Sequence, residues 1–447
     1  MKNRIESIIL FIFLSFTAPI FVEAQIENLS SSEIEEIKIL AGSGDGFNQY
    51  NLGLLYENGV GVVQDLYEAR EWYSKAAEQG VKEAQYNLAH FYKDGLGGEL
   101  NHTEAKKWYL MSAEQGYRDA QHNLGVLYFD EEVNYYEAKK WFRKAADQGH
   151  EGAQVNLGQM YFKGYGTGQD YNEAEKWYRK AAEQGNKEGQ LNLGFLYFKG
   201  LGRSVNYNEA EKWFRRSAEQ GILEAQVNLG LMYFKGLGIE HDYKESEKWY
   251  RKAAEQGDSG AQTRLAHQYE IGLGVEVDFE EAIKWYRKSA EQGDSYAQTS
   301  LGKFYLYGEG IELDFERAQE WFLKASQLDD AEGDYQLGLL YINDDFEMFD
   351  WVYSPEVVDA YDKYYDEKKA ASRFLKAAEK GHSGAQWYMG QFYSDGSGVE
   401  KDNTEAYMWF DLSGTASALD SLVEKMTEEE ISEAKRKIDD WKRDHAK

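Results

Sequence analysis

Apolar and small residues recur along most of the chain with the spacing of one helical face. From Ala225 to Tyr233 they fall at offsets 0, 4, 5, 7 and 8, which fits a helix and not the alternation of a strand. A second group, from Tyr243 to Ala254, again marks one face of a helix. The pattern restarts at Ala261, 36 residues after Ala225. The chain is therefore predicted to repeat a unit of two amphipathic helices.

Glycines and acidic residues predict where these helices begin and end. Gly236 and Gly238 supply the left-handed backbone that ends a helix, and Gly257 closes the second one. Asp242 and Glu245 have the spacing of a capping box that opens the second helix. The same pair of residue types recurs at Asp65/Glu68, Asn101/Glu104, Asn134/Glu137, Asp170/Glu173, Asn206/Glu209, Asp278/Glu281 and Asp402/Glu405. Each unit is thus predicted to be helix, tight glycine turn, helix.

Ten such units are predicted between residues 47 and 414. One helix pair cannot bury its apolar faces alone, so tryptophan and tyrosine should lie at the junctions between stacked repeats. The anchor residues of the ten first helices are Leu52, Leu88, Leu124, Leu157, Leu193, Leu229, Leu265, Leu301, Leu337 and Met389. Their spacing is 36 residues except for one interval of 33 and one of 52. The expected fold is all-α, an α-solenoid in which each repeat contacts mainly its neighbours.

The segments outside the regular repeats have separate predicted roles. Residues 1–24 resemble a signal peptide, with a basic start, a short apolar run and small residues before a cut after Ala24; an uncleaved membrane anchor is the alternative. Residues 25–46 should form a capping helix, and residues 415–447 should form closing helices. The interval of 52 places an insertion at about 343–367, inside the ninth repeat.

Three sequence blocks carry a resemblance to a known family. They are A-Q-x-N-L-G-x-L/M-Y, a G-x-G turn and W-Y/F-x-K-A-A-E-Q-G. They resemble the Sel1-like repeat, and the period of 36 with paired glycines favours it over the related 34-residue tetratricopeptide repeat. The resemblance covers more than three quarters of the chain. It implies an α/α-solenoid superhelix of about ten helix-turn-helix repeats that serves as an assembly scaffold, and in exported bacterial members acts in envelope or host-contact processes.

Charge and cysteine content exclude several kinds of partner and site. The formal net charge is −29, which argues against nucleic acid or anionic lipid as a partner and permits basic protein segments. A solvated acidic surface that maintains solubility explains the same charge. The chain has no cysteine, so disulfides, thiol catalysis and thiolate metal sites are excluded.

No motif of a catalytic, metal or cofactor site is found in the sequence. The HExxH, GxSxG and P-loop patterns are absent, and the eight histidines do not have the spacing of metal ligands. Glycine triplets such as Gly164-x-Gly166-x-Gly168 are explained by the repeat turns. The sequence therefore predicts a protein without catalytic residues, bound metal or cofactor.

A ladder of asparagines on the first helices is the first candidate binding surface. Each residue precedes the anchor leucine of its repeat, and the ladder consists of Asn51, Asn87, Asn123, Asn156, Asn192 and Asn228. If first helices line the concave face, these amides can hold the backbone of an extended peptide. Specificity would then come from neighbouring variable positions, namely Phe195, Leu231, His267 and Lys303. The alternative, which the regular recurrence favours, is that asparagine is a structural residue that bonds to the adjacent helix.

The insertion in the ninth repeat is the second candidate surface. It combines acidic residues with four aromatic residues, Phe346, Phe349, Trp351 and Tyr353. Aromatic residues outside a repeat core are typical of protein-binding loops. The alternative is that these rings fold back onto neighbouring repeats.

Three functions follow from these patterns. The first is an exported, periplasmic or extracellular, non-enzymatic scaffold that binds a protein or peptide and is not inserted in a membrane after signal cleavage. The second is an enzyme that binds or hydrolyses β-lactams, as linked to cysteine-rich Helicobacter relatives, which the missing cysteines and the absent Ser-x-x-Lys constellation disfavour. The third is an endoplasmic-reticulum adaptor like Sel1, which the short array disfavours.

Overall fold

The regular elements of the structure are all helices. A computed structural model describes residue 26 and residues 29–130, 133–166, 168–342 and 363–445 of the chain. The helices described there are α1 (Ser31–Gly42), α2 (Gly46–Asn58), α3 (Leu66–Glu78), α4 (Lys82–Asp94), α5 (His102–Glu114), α6 (Arg118–Asp130), α7 (Tyr135–Asp147), α8 (Glu151–Lys163), α9 (Tyr171–Glu183), α10 (Lys187–Lys199), α11 (Tyr207–Glu219), α12 (Leu223–Lys235), α13 (Tyr243–Glu255), α14 (Ser259–Ile271), α15 (Phe279–Glu291), α16 (Ser295–Tyr307), α17 (Phe315–Gln327), α18 (Ala331–Ile342), α19 (Glu367–Glu379), α20 (Ser383–Asp395), α21 (Asn403–Ser413), α22 (Ala416–Val423) and α23 (Glu428–Asp444).

Helices α2 to α21 form ten successive pairs, and the chain divides into two compact units, residues 1–217 and 218–447. Inside each unit, helices pack mainly against the next one along the chain, as α8 does against α9 and α14 against α15. First helices of neighbouring repeats also touch, as α8 and α10 do in the first unit and α16 and α18 in the second. First helices therefore share one face of each unit. The predicted all-α fold of repeated helix pairs is confirmed.

The second helices begin at the predicted acidic or amide residues, but the predicted capping boxes form only in part. Asp242 accepts hydrogen bonds from the backbone N–H groups of Lys244 and Glu245. The Glu245 carboxylate pairs with Lys248 instead of the cap backbone. In five other repeats the equivalent glutamate accepts from an indole N–H, as in Glu68–Trp72, Glu104–Trp108, Glu173–Trp177, Glu209–Trp213 and Glu281–Trp285. In those five repeats the predicted box does not form because the indole N–H takes the carboxylate as its acceptor.

Complete capping boxes occur at the starts of two helices, α1 and α23, which are the first and the last of the helices named above. Ser30 and Glu33 bond reciprocally at the start of α1. Thr427 and Glu430 do the same at the start of α23, as the sequence predicts. The first helices end as predicted too, since Gly236 after α12 adopts a left-handed backbone with φ of 63°.

Each helix pair is held together by a small residue facing an aromatic ring. A Cβ atom at Gly230 on α12 would lie 2.7 Å from the Tyr250 ring on α13, so the glycine lets the two helices approach. The Tyr250 ring and the neighbouring Trp249 are almost completely buried. The ammonium of Lys252 lies 4.3 Å from the centre of the Trp249 ring and covers it from solvent. Between repeats, the Tyr73 ring on α3 lies 5.3 Å from the Phe91 ring on α4, so aromatic rings also lie at the repeat junctions, as predicted.

Buried glutamines connect the helices of successive repeats through what we call the glutamine rung. In the second unit, Gln292 at the end of α15 donates to Gln262 on α14 over 2.8 Å. Gln262 in turn donates to the carbonyl of Ala254 on the preceding second helix. In the first unit the same glutamine pairs are Gln79–Gln49, Gln115–Gln85, Gln148–Gln121 and Gln184–Gln154. Each rung thus ties a first helix to the second helices on both sides of it.

The ninth repeat replaces its glutamine rung with a buried ion pair. Asp334 stands at the glutamine position of α18 and is completely buried. Its carboxylate accepts from Lys380 over 3.0 Å and from Arg373 over 3.1 Å. Because a carboxylate cannot donate to a backbone carbonyl, Ser326 takes the place of the usual alanine and donates its hydroxyl to Asp334. Asp334 and Lys380 replace the two glutamines and Ser326 replaces the alanine, and these three residues together keep the rung's connections.

The interrupted rung lies one repeat earlier. Leu328 replaces the glutamine that would end the second helix of the eighth repeat, so Gln298 Oε1 is buried without a hydrogen-bond partner in the described structure. The predicted signal peptide and most of the predicted insertion lie outside the described residues. Helix α18 ends at Ile342 and α19 begins at Glu367, on either side of that insertion.

Candidate functional site

The first-helix face of the first unit carries a chain of hydrogen bonds across three repeats. Asn156 donates to His122 Nε2 over 3.1 Å, and the opposite nitrogen of that ring lies 3.2 Å from Asn123 Oδ1. Asn123 donates from its amide to the Tyr86 hydroxyl over 3.4 Å. This order of donors assigns the His122 proton to Nδ1. Two asparagines of the predicted ladder are therefore brought together through a histidine and a tyrosine.

Beside this row of hydrogen bonds, a carboxylate and two stacked histidine rings from neighbouring repeats come together. The ring of His150, which caps α8, stacks on His122 with centroids 4.3 Å apart. His150 Nδ1 accepts from the backbone N–H of Ala153, so the proton is on Nε2, which faces Asp119 Oδ1 at 3.5 Å. We call Asp119, His122 and His150 the first acid–ring–histidine arrangement.

Both imidazoles of this arrangement are neutral at pH 7. Burial, and secondarily the neighbouring His150, lowers the pKa of His122 to about 4. Burial, followed by the charge of Arg118, lowers the pKa of His150 to about 4. An open cleft of about 350 Å³ adjoins this place, with Arg118, Asp119 and His150 among its lining residues. The 3.5 Å contact between His150 and Asp119 is thus not an ion pair at neutral pH.

The second unit repeats the arrangement at equivalent positions of the ninth and tenth repeats. The His382 ring stacks on Tyr335 with centroids 4.2 Å apart, and its Nε2 lies 2.9 Å from Glu332. Glu332 also accepts from Lys303 over 2.7 Å and from Gln336 over 2.9 Å. The hydrogen bond from His382, and then those from Lys303, lower the pKa of Glu332 to about 2 despite its partial burial. This carboxylate is therefore fully ionised and occupied by the chain's own groups.

The remaining asparagines of the predicted ladder are half-buried in the same face. Asn51, Asn87 and Asn192 have the same partial exposure as Asn123 and Asn156. Asn228 donates to the Glu224 carbonyl of its own helix over 2.8 Å. Asn228 is thus bonded within its own helix, and the half-buried positions of the others leave part of each side chain at the surface.

The variable positions that were predicted to set specificity are also half-buried, but they do not form one cluster. Phe195 lies 6.4 Å from Phe162 in the first unit. In the second unit Leu231 packs at the edge of the core, His267 lies 6.5 Å from the Tyr296 ring, and Lys303 binds Glu332. Sequence reasoning missed Asp119, Tyr86 and the stacked histidines. A signal was available, because His150 and His382 both stand at the N-cap of a first helix, where aspartate or asparagine is usual.

The insertion residues Phe346, Phe349, Trp351 and Tyr353 lie outside the described residues. Among the described residues, no group of three or more histidine, aspartate or glutamate side chains is placed to hold a metal ion. Within the same ranges, no helix is long and apolar enough to cross a membrane.

Comparison with known proteins agrees with the geometry of the helix pairs. The family model described as Sel1 repeat matches nine segments, at residues 49–81, 82–117, 118–150, 152–186, 187–222, 223–258, 259–294, 295–330 and 383–416. The pair α18–α19, which carries the insertion, is not among the matched segments. A comparison with curated proteins gave no match.

Two solved structures resemble the chain over most of its length. A protective antigen present in uropathogenic Escherichia coli strains, which displays an SLR fold, is 34% identical with a TM-score of 0.69. The match covers 93% of this chain and 95% of that one. A Sel1 repeat protein from Oxalobacter formigenes is 28% identical with a TM-score of 0.56, covering 72% and 90% of the two chains. By its repeats and by these relatives, the chain belongs to the Sel1 repeat family, whose solenoids are generally non-enzymatic scaffolds for protein–protein interaction.

Proposed function

We propose that this protein is an exported, non-enzymatic scaffold that binds a segment of another protein on its first-helix face. The observation that carries the proposal is the hydrogen-bonded row of Tyr86, Asn123, His122 and Asn156. These side chains are held in fixed positions across three repeats and are only half-buried. The Asn156 amide donates one of its two N–H groups to His122, which leaves the other for a peptide carbonyl.

The first-helix face of each unit also carries a partly exposed apolar side chain. Phe195 in the first unit and Leu231 in the second are partly exposed on first helices. A mixture of rigid aromatic side chains and fixed amides suits an extended peptide, whose backbone needs hydrogen bonds and whose side chains need pockets. The acidic net charge of −29 favours partners with basic segments.

Export is supported by the sequence of residues 1–24 and by a relative. The segment has the basic start, apolar run and small residues of a cleavable leader. The Escherichia coli relative is described as a protective antigen, which is a property expected of a protein that antibodies can reach. We therefore place the mature chain in the periplasm or outside the cell.

Site-specific photo-crosslinking in the native host tests the binding face. Benzoylphenylalanine is introduced at Phe195 or Leu231 on first helices and, as the control, at Tyr136, which is exposed on the second helix α7. We expect one partner protein to cross-link from the first-helix positions and not from Tyr136. The partner segment is then synthesised and titrated against the Asn192→Ala variant, which should bind more weakly. Cross-linking from Tyr136 alone would assign binding to the opposite face.

A further inference from the structure

The two acid–ring–histidine arrangements differ in their acid, in their ring and in one neighbouring position. Asp119 and His122 stand where the second unit has Glu332 and Tyr335. In the second unit, Lys303 stands five positions after the rung glutamine of the eighth repeat and places its ammonium 2.7 Å from Glu332 on the ninth. In the first unit, the equivalent position of the second repeat is His90. The His90 ring turns to Asp94 of its own helix, at 2.8 Å, and not to Asp119. The first arrangement therefore lacks the lysine that the second one contains.

Asp119 consequently has weaker partners than its counterpart Glu332. Its carboxylate lies 3.4 Å from Arg118 Nε, on the adjacent residue, and 3.5 Å from the neutral His150. Glu332 has three contacts of 2.9 Å or less, two of which come from other repeats. The Asp119 side chain is nonetheless only 17% exposed, so a carboxylate charge is held in a poorly solvated place with incomplete compensation.

Two tyrosine rings border Asp119 on the side of the second repeat. The rings of Tyr86 and Tyr117 lie 5.2 Å apart and are inclined at 57°. Burial and then the charge of Asp119 raise the pKa values of both phenols, and the charge of Glu83 adds to the effect at Tyr117. We call Glu83, Tyr86, Tyr117 and Asp119 the acidic notch. Its two carboxylates and its aromatic rings favour a cation. Each carboxylate has only a long contact to the basic residue beside it in the sequence, 3.9 Å from Lys82 to Glu83 and 3.4 Å from Arg118 to Asp119.

We propose that the acidic notch binds a lysine side chain of the partner protein, whose ammonium takes the place that Lys303 holds in the second unit. The second unit shows how this chain satisfies the same carboxylate position when a lysine is present. The tyrosine rings add a cation–π contact to the ion pair, and the half-exposed position lets the side chain enter from the first-helix face. This inference rests on the proposed function, because it identifies a residue type that the bound segment carries.

Exchange of the residue types at His90 and Lys303 gives the decisive experiment. The His90→Lys variant should place a lysine beside Asp119 and fill the notch from within the chain. The Lys303→His variant should vacate the equivalent place beside Glu332. Hexalysine is the probe, titrated calorimetrically into the purified chain at one fixed low ionic strength. We expect at least about a tenfold loss of affinity in His90→Lys and an additional binding equivalent in Lys303→His.

Charge-matched variants separate the notch from general attraction to an acidic protein. Asp119→Asn should lower hexalysine affinity about tenfold or more, whereas Glu332→Gln, with the same change of net charge, should alter it less than about twofold. His102→Lys, at an exposed position of a second helix, is the control for His90→Lys. Equal losses in the variants and their controls would overturn the proposal, and so would unchanged affinity in both Asp119→Asn and His90→Lys.

The hexalysine titration tests the notch, and the cross-linking experiment tests the proposed binding face, so the two proposals can fail separately. Loss of hexalysine binding in His90→Lys without any cross-link from the first-helix face would support the notch and count against the scaffold's binding face. If that face cross-links to a partner but Asp119→Asn leaves hexalysine binding unchanged, the binding face is supported and the notch is not. Because His90→Lys exchanges one side chain for another at an exposed position, the variant should be as helical as the unmodified chain. Circular dichroism checks this.

Discussion

At the scale of single residues, the glutamine rung shows how a buried polar position is satisfied or left incomplete. Gln262 uses its amide N–H for the Ala254 carbonyl and its oxygen for Gln292. Gln298 makes the first bond, to Ala290, but has no donor for its oxygen because residue 328 is leucine. A buried acceptor without a partner lowers stability by about 1–3 kcal/mol.

Leu328→Gln should therefore stabilise the eighth repeat. Leu328 is 51% exposed, so the loss of its side chain costs little, and its backbone has nearly the same dihedral angles as Gln292. We expect a gain of about 1 kcal/mol, seen as slower amide hydrogen exchange in α16 and α17. Leu328→Ala removes the same leucine without adding a donor and is the control. Equal exchange in the two variants would contradict the assignment of the rung.

At the scale of helices, the repeat depends on how closely the two members of a pair approach. Gly230 lies against the Tyr250 ring, and eight repeats have glycine in this position. The other two have Ala89 and Ala266, both completely buried. The position thus accepts one methyl group when the rest of the pair is adjusted to it.

Gly230→Val should force α12 and α13 apart. A branched side chain would overlap the Tyr250 ring, which a single Cβ atom already approaches to 2.7 Å. We expect a loss of about 1–3 kcal/mol, measured as faster amide exchange in these two helices. Gly230→Ala should lose less, since alanine occurs naturally at this position. A valine variant as stable as the alanine variant would show that the pair has more space than its geometry indicates.

The stacked histidines should make α6 and α8 sensitive to acid. The pKa values of His122 and His150 are about 4 in the folded chain and about 6.5 when unfolded. Between these values the unfolded state binds more protons, so stability falls as the pH drops from about 6.5 to about 4 and levels off below. The loss is at most about 3 kcal/mol for each imidazole.

Amide exchange in α6 and α8 as a function of pH measures this effect, after correction for the intrinsic exchange rates. The control is the double variant His122→Leu/His150→Asn, which introduces the residues that the fifth repeat has at the equivalent positions, Leu191 and Asn186. Its stability should vary less over the same interval. An unchanged pH profile would mean that other groups cause the acid sensitivity.

The sequence predicted the helix pairs because their signals are local. The apolar spacing, the cap residues and the glycine at Gly236 each act within one helix or turn. The candidate site depends on groups that come together only after stacking. The sequence does not show that His122 and His150 stack on each other. It also suggested reciprocal capping boxes at glutamates that in fact accept hydrogen bonds from indole N–H groups. The asparagine ladder was located, but the bonds that Asn123 and Asn156 make to other repeats were not.

At the scale of the whole molecule, charge is the dominant property. The chain contains 79 acidic and 50 basic residues. Such an excess accelerates encounter with basic partners and weakens with added salt. The predicted leader contributes nothing to it, because its two basic and two acidic residues cancel. The mature protein would thus keep the full charge of −29 outside the cytoplasm.

Expression of the full chain in a Gram-negative bacterium should yield a mature protein that begins at Gln25. The small residues Val22 and Ala24 precede this position, as signal peptidase requires. Intact-mass spectrometry of the periplasmic fraction measures the cut, with Ala24→Tyr as the variant that should block it. A full-length mass in the membrane fraction would favour the uncleaved anchor.

The glutamine rung also bears on how such a gene can change its length. Every ordinary rung in the second unit uses the same atoms, so removal of residues 259–294 would bring Gln298 opposite the carbonyl of Ala254 in place of Ala290. The new junction would repeat the old one, with Asp258 serving as N-cap where Asp294 did before. In-frame recombination between copies can therefore shorten or lengthen the array by whole multiples of 36 residues without a new interface having to evolve. The ninth repeat is the exception, since its charged rung requires Ser326, Asp334 and Lys380 to be inherited together.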